Sequence, residues 1–156
     1  MTRAIADLVP AEALRIVAAG DGFEPAADAA FAGLRDEFLQ RYAAGLLERT
    51  TVFDAVQPVL DRLDEDGWRW GIVTNKAERF TRPLVEGLGL HGRAAVVISG
   101  DTTAHSKPHP APLLEAARRA GVEAAACIYI GDDLRDVQAG HAAGMVTLAA
   151  AWGYLG

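Results

Sequence analysis

Apolar positions in the first fifty residues recur only at helical spacing. Ile5, Leu8 and Val9 form one short face, and Pro10 can open a second helix that carries Leu14, Ile16 and Val17 as far as Gly20. Asp21-Gly22 marks a turn. From about Pro25, Phe31, Leu34, Phe38, Tyr42 and Leu46 fall three or four apart and predict a longer helix with a single apolar stripe. Residues 49–53 break the pattern with Thr50, Thr51 and Val52, an extended connection at which we place a module boundary. Asp54 is then a candidate cap for a helix carrying Val56, Val59, Leu60 and Leu63, which Gly67 ends. From Trp68 onward, short β-rich runs alternate with helical ones. Strands are predicted over 70–73, 95–98, 126–130 and 146–149, and helices over 81–87, 110–120 closed by Gly121, and 134–143 closed by Gly144. Strand and helix in alternation are the mark of βαβ units, so an α/β fold with a parallel sheet is expected, preceded by helices alone.

Composition narrows the possibilities. The chain has 156 residues, 51% hydrophobic and only 7% aromatic, enough for one α/β core with a small appendage but not for two independent domains. Its net charge of −6, with no stripe of Lys or Arg, argues against a nucleic-acid partner. No stretch reaches the roughly 20 apolar residues of a membrane span, and the acidic Asp7 and Glu12 in the opening residues do not suit a signal peptide. The expected compartment is the cytoplasm. The single cysteine, Cys127, falls inside a predicted strand and reads as a small buried hydrophobe.

Three stretches carry chemistry. In the first, Cys127 to Asp136 (CIYIGDDLRD), an apolar strand ends at Gly131 and is followed by Asp132, Asp133 and Asp136. Ligands of open parallel sheets bind beyond the carboxyl ends of the strands, and hard cations such as Mg²⁺ take carboxylate oxygens. The same acids also suit the start of a helix, as cap and as complement to its dipole. In the second, the strand over 70–73 runs into Thr74-Asn75-Lys76, where a hydroxyl and backbone N–H groups beside a helix start could form a nest for phosphate oxygens or simply turn the chain. In the third, Ser106-Lys107-Pro108-His109-Pro110, proline holds the backbone of Lys107 extended and restricts a cationic side chain suited to a fixed charge. Pro108 between His105 and His109 argues against a shared helical face and against zinc, and His91, His105, His109 and His141 read as loop or surface residues.

Taken in order, WGIVTNK, GLGL, SKPHPAPLL and IYIGDDLRDVQAGHAAG resemble the second, third and fourth motifs of the haloacid dehalogenase (HAD) superfamily, in its phosphoglycolate phosphatase-like branch with the N-acetylmuramic acid 6-phosphate phosphatases. The resemblance covers about residues 53–144 and implies a Rossmann-like core at 50–156, with 1–49 as part of a helical cap. It implies a Mg²⁺-dependent hydrolase of small phosphorylated metabolites. Thr74, the amide at Asn75 and Lys107 would hold the phosphoryl group, Lys107 would be catalytic in balancing charge, and Asp132 would bind the metal with Asp136 and Asp133 in support. Arg3 matches a substrate-facing cap arginine only loosely.

One departure from the family pattern is large. No Asp-x-Asp-Gly-Thr occurs in the sequence, although in the family that motif supplies the nucleophile and the general acid-base from a strand lying centrally, between those matching 70–73 and 126–130. Covalent catalysis needs that carboxylate. The expectation is a core truncated at both ends and inactive as this chain. The alternative is a pseudo-phosphatase that binds phosphate or another protein. A signalling receiver domain also sets acids, Thr and Lys on a parallel sheet, but its acid pair comes first in the chain, whereas here the acids come last.

Overall fold

A computed structural model describes residues 29–151. The chain divides into two compact units, residues 1–51 and residues 52–156. In the first, helix α1 (Ala29–Ala44) falls within the predicted long helix. The rings of Phe38 and Tyr42 stack with centroids 6.2 Å apart, and Leu46 is buried just beyond the helix, whereas Leu34 is exposed. The helices predicted over 1–20 lie outside the described residues.

The second unit begins with α2 (Gln57–Glu65). Asp54 does not cap it. The N–H groups of Val56 and Gln57 both turn back to the carbonyl of Phe53, which leaves Val56 at the cap position with no side-chain bond and a proline in the first turn. Strand β1 (Gly71–Val73) follows. Helix α3 (Glu78–Gly87) starts three residues earlier than its apolar pattern suggested, because the carboxylate of Asp101, 23 residues away, accepts the N–H of Glu78 at 2.8 Å. Such a cap from a distant loop leaves no local trace in the sequence. Strand β2 (Val96–Ile98) leads into α4 (Ala111–Ala120), closed by Gly121 in the left-handed conformation, φ 68°.

Next, the strand predicted over 126–130 is displaced. Ala124–Ala126 form a 3₁₀ turn, and β3 runs Ile128–Gly131. The N–H groups of Ala126 and Cys127 bond back to Glu123 and Ala124 and hold the turn closed. Cys127 therefore precedes the strand, half-buried, with its thiol on the carbonyl of Glu123 at 3.3 Å. Helix α5 (Leu134–Ala142) and strand β4 (Val146–Ala149) complete the described elements.

The strands form two separate parallel pairs. In one, Gly71, Ile72 and Val73 face Val96, Val97 and Ile98. In the other, the residues from Ile128 to Gly131 face Val146 to Ala149 in order. Alternate residues of a parallel strand direct both N–H and C=O to the same neighbour. Thr74 donates to Ile98 and Trp70 accepts from Ala95, so Gly71 and Val73 point their polar groups away from β2. By the same rule Cys127 and Gly131 accept from Val146 and Ala150, and Ile128 and Ile130 point away from β4. Each pair thus has an open edge.

Leu113 and Ala117 of α4, Ala139 of α5, and Ala143 and Met145 form the buried core, with Val73, Cys127 and Tyr129 packed on it. Helix α4 touches both β1 and β2 as well as the turn before β3, so one helix fastens together the two strand pairs. Among the described residues the other face of β3 and β4 is about half exposed: Ile128 and Val146 are register partners, as are Ile130 and Leu148, with Ile128 at 63%.

Leu113 has no exposure, so Leu113→Ala is expected to cost about 2–5 kcal/mol in urea denaturation through lost burial and a residual cavity. Ile130→Ala, at 55% exposure, should cost under about 1 kcal/mol. Equal losses would mean that the core is not where the structure puts it.

Candidate active site

The carboxyl end of β1, Tyr129 of β3, the first turn of α5 and the loop before α4 meet at Lys107. Its side chain is only 10% exposed and pairs with Asp136, 8% exposed, at 2.7 Å. The same ammonium donates to the hydroxyl of Tyr129 at 2.9 Å and to the carbonyl of Val73 at 3.0 Å. An ammonium has three N–H donors and no acceptor, so each donor has a partner. The Val73 carbonyl lies on the open edge of β1, where a neighbouring strand would otherwise be its source of hydrogen bonds. Lys107 sits in the loop rather than in a helix, followed by a cis bond to Pro108.

Asp136 lies in the first turn of α5 and is aimed inward by its helix. One oxygen accepts from Lys107 and from the Tyr129 hydroxyl at 3.1 Å, the other from the Asp133 N–H at 3.2 Å. Burial pushes its carboxyl upward, but the hydrogen bond and charge of Lys107, with the Asp133 N–H and the Tyr129 hydroxyl, outweigh it and hold the pKa below the ordinary value. Tyr129 is pushed the other way, first by burial and then by Asp136 and Asp132. Gly131 is needed for this approach, since a Cβ there would overlap the Asp136 side chain.

Asp133 takes the capping role that its position before a helix allowed. Its carboxylate accepts the N–H of Arg135 at 2.8 Å and the Arg135 guanidinium at 2.9 and 2.6 Å, and with Asp136 it makes a reciprocal capping box. These bonds, those to the guanidinium first, hold its carboxyl well below the usual range.

Around β1, Thr74 ends the strand and its hydroxyl accepts the N–H of Lys76 at 3.1 Å. The Asn75 side chain meets the backbone of Lys107 with two bonds, at 2.9 and 3.0 Å. Lys76 is half-buried, and desolvation lowers its pKa. The rings of His105 and His109 lie tilted against each other, centroids 4.4 Å apart, and line a shallow open pocket with Ser106, Pro108 and Pro110.

Among the described residues, no three His, Cys, Asp or Glu side chains converge as a metal cage. Mg²⁺ asks for less than that, since one or two carboxylates suffice when waters and a phosphate complete the shell. Asp132, half-buried directly beyond the end of β3 and close enough to act on the Tyr129 hydroxyl, is a hard-oxygen donor of that kind, so the residues present fit such an ion.

Of the candidates named from the sequence, Asn75, Lys107 and Asp136 are joined by direct bonds, Thr74 stands next to Val73, and Asp132 lies near Tyr129. Asp133 turns to Arg135, and Arg3 lies outside the described residues. Sequence reasoning missed Tyr129. The available signal was a tyrosine two positions before Gly131, in a strand whose neighbours are apolar: a buried phenol needs a partner for its hydroxyl.

Residues 19–150 match the profile of the haloacid dehalogenase-like hydrolase family. The chain is 52% identical over 126 residues to a phosphoglycolate phosphatase of Xanthomonas campestris pv. campestris, covering 81% of this chain and 57% of that protein. It is 36% identical over 151 residues to an N-acetylmuramic acid 6-phosphate phosphatase of Pseudomonas putida, covering 97% of this chain and 67% of that one. The chain thus spans little more than half the length of its more similar relatives. A crystal structure from Haemophilus somnus, titled a predicted phosphoglycolate phosphatase, superposes with a TM-score of 0.77 at 23% identity, covering 92% of this chain and 62% of that one, a likeness of fold.

The depressed carboxyl of Asp136 gives a pH signature. A group whose folded pKa lies below its unfolded value of about 3.9 contributes stability that is present above that value and lost as pH falls through the folded one. Denaturation between pH 6 and 3 should therefore show wild-type stability falling toward that of Asp136→Asn below about pH 4. A constant gap between the two would remove Asp136 from the acid response.

Proposed function

Because the chain belongs to the haloacid dehalogenase-like hydrolase family, we propose that it serves a Mg²⁺-dependent cytoplasmic hydrolase of small phosphomonoesters, of the phosphoglycolate or sugar-phosphate type. The observation that carries this reading is the buried Lys107–Asp136 pair, which sets a cation between the end of β1 and the helix start that follows β3. In this reading residues 1–49 are part of a helical cap and 50–156 the α/β core. Thr74 and the Asn75 N–H hold the phosphoryl oxygens at the end of β1. Lys107, with all three donors engaged, acts as a fixed positive charge facing the phosphate, and its partners keep the ammonium from swinging into solvent. Asp132 would hold Mg²⁺, which when bound neutralises phosphate charge and polarises the phosphoryl oxygen. Tyr129 and Asp136 keep Lys107 in place. Similarity to the Xanthomonas and Pseudomonas phosphatases supports the substrate class.

The reading makes two demands on experiment. Residues 1–156 alone should release no phosphate from phosphoglycolate or N-acetylmuramic acid 6-phosphate with Mg²⁺, because the sequence contains no Asp-x-Asp-Gly-Thr. Joining the upstream segment of the Xanthomonas relative, which is to be checked for that motif, should give phosphate release that Asp132→Asn lowers by orders of magnitude while the thermal melt stays in place. A folded chimera that binds phosphate without hydrolysing it would point instead to a pseudo-phosphatase, and turnover by the chain alone would overturn the role given to the absent motif.

A further inference from the structure

The Asn75 carboxamide spends both of its polar atoms on a single residue 32 positions away. Its Nδ2 donates to the Lys107 carbonyl at 2.9 Å, and its Oδ1 accepts the Lys107 N–H at 3.0 Å. That pattern copies a peptide pairing with a strand, and it fixes the amide orientation, since the flipped group would set donor against donor and acceptor against acceptor. Lys107 is thereby held at both ends by one three-residue stretch: its main chain by Asn75 and its ammonium by the carbonyl of Val73. The stretch itself is wedged. Gly100 donates its N–H to Lys76 at 2.8 Å, a Cβ on Gly100 would overlap the backbone carbonyl of Asn75, and the Thr81 hydroxyl donates to the same Lys76 carbonyl at 2.9 Å.

We propose that Asn75 is a positioning residue, whose carboxamide sets the place of the Lys107 ammonium and makes no phosphate contact of its own. This deepens the phosphate-site reading above and rests on it. The side chain at position 75 needs one donor and one acceptor at a fixed short reach. Aspartate keeps the acceptor but turns an oxygen toward the Lys107 carbonyl, glutamine overshoots by a methylene, and alanine offers neither group. Asn75 is solvent-exposed, so water can take over the broken bonds, and the variants are expected to fold.

The test uses the full chain, labelled with ¹⁵N, with a melt recorded for each variant. The buried, ion-paired Lys107 ammonium should give a slowly exchanging ¹⁵N signal that Lys107→Ala identifies by its loss. Asn75→Ala and Asn75→Asp should each broaden or abolish that signal. In parallel, binding of inorganic phosphate is followed by ³¹P NMR for wild type, Asn75→Ala, Lys107→Ala and the double variant. Asn75→Ala should weaken binding about tenfold, the scale of two lost hydrogen bonds, and should have no further effect once Lys107 is alanine. An unchanged Lys107 signal in both Asn75 variants, or an Asn75→Ala loss of equal size in the Lys107→Ala background, would overturn the proposal. Wild-type chain that binds no phosphate would count against the site reading instead, and the ammonium signal would then decide the role of Asn75 by itself.

Discussion

An ammonium withdrawn from water has to be matched donor by donor, and the site depends on how that is done at Lys107. Its three acceptors come from the end of β1, from β3 and from the first turn of α5. A buried charge deprived of its partner costs several kcal/mol, so such a pair holds its surroundings to one arrangement more than it adds to stability. The ion pair joins segments on either side of α4, which itself touches β1, β2 and the turn ahead of β3. The helix supplies apolar fastening and the loop before it supplies the polar fastening, and together they set the ends of two unpaired strand pairs side by side.

The three acids behind β3 divide their work by geometry. Asp133 lies outside the helix, where its carboxylate reaches the Arg135 N–H and guanidinium. Asp136 is one turn farther along and is carried inward onto Gly131 and Lys107. Asp132 directly follows the strand, half-buried, and is the acid that the proposed reading assigns to a hard cation. Equal chemistry along the chain thus becomes a cap, a counter-ion and a candidate ligand, because a helix start rotates successive side chains into different surroundings.

The two strand pairs also show what α4 cannot supply. Their open edges carry the polar groups of Gly71, Val73, Ile128 and Ile130, and Lys107 meets the Val73 carbonyl. Ile128, Ile130, Val146 and Leu148 leave an aliphatic sheet face in water. Open edges and apolar sheet faces are the surfaces on which β proteins pair or aggregate.

Local chemistry was enough to read the alternation of elements from Trp68 onward, the closing of α4 at Gly121 and of the α5 turn at Gly144, and the placing of Thr74, Asn75 and Asp132 just beyond strand ends, since hydrophobic period and turn residues act within a few positions. The departures have separate causes. Helix α3 begins at Glu78 because Asp101 caps it from 23 residues away; the strand predicted from 126 begins at Ile128 because a 3₁₀ turn intervenes; and Asp54 lost its capping place to the Phe53 carbonyl. Tertiary structure decided that Asp136 would turn to Lys107, that Tyr129 would enter the site, and that Asn75 would grip the backbone of Lys107. Each of those choices depends on a partner brought in from another segment or on the direction in which a helix start aims a side chain, and neither is encoded by spacing along the chain.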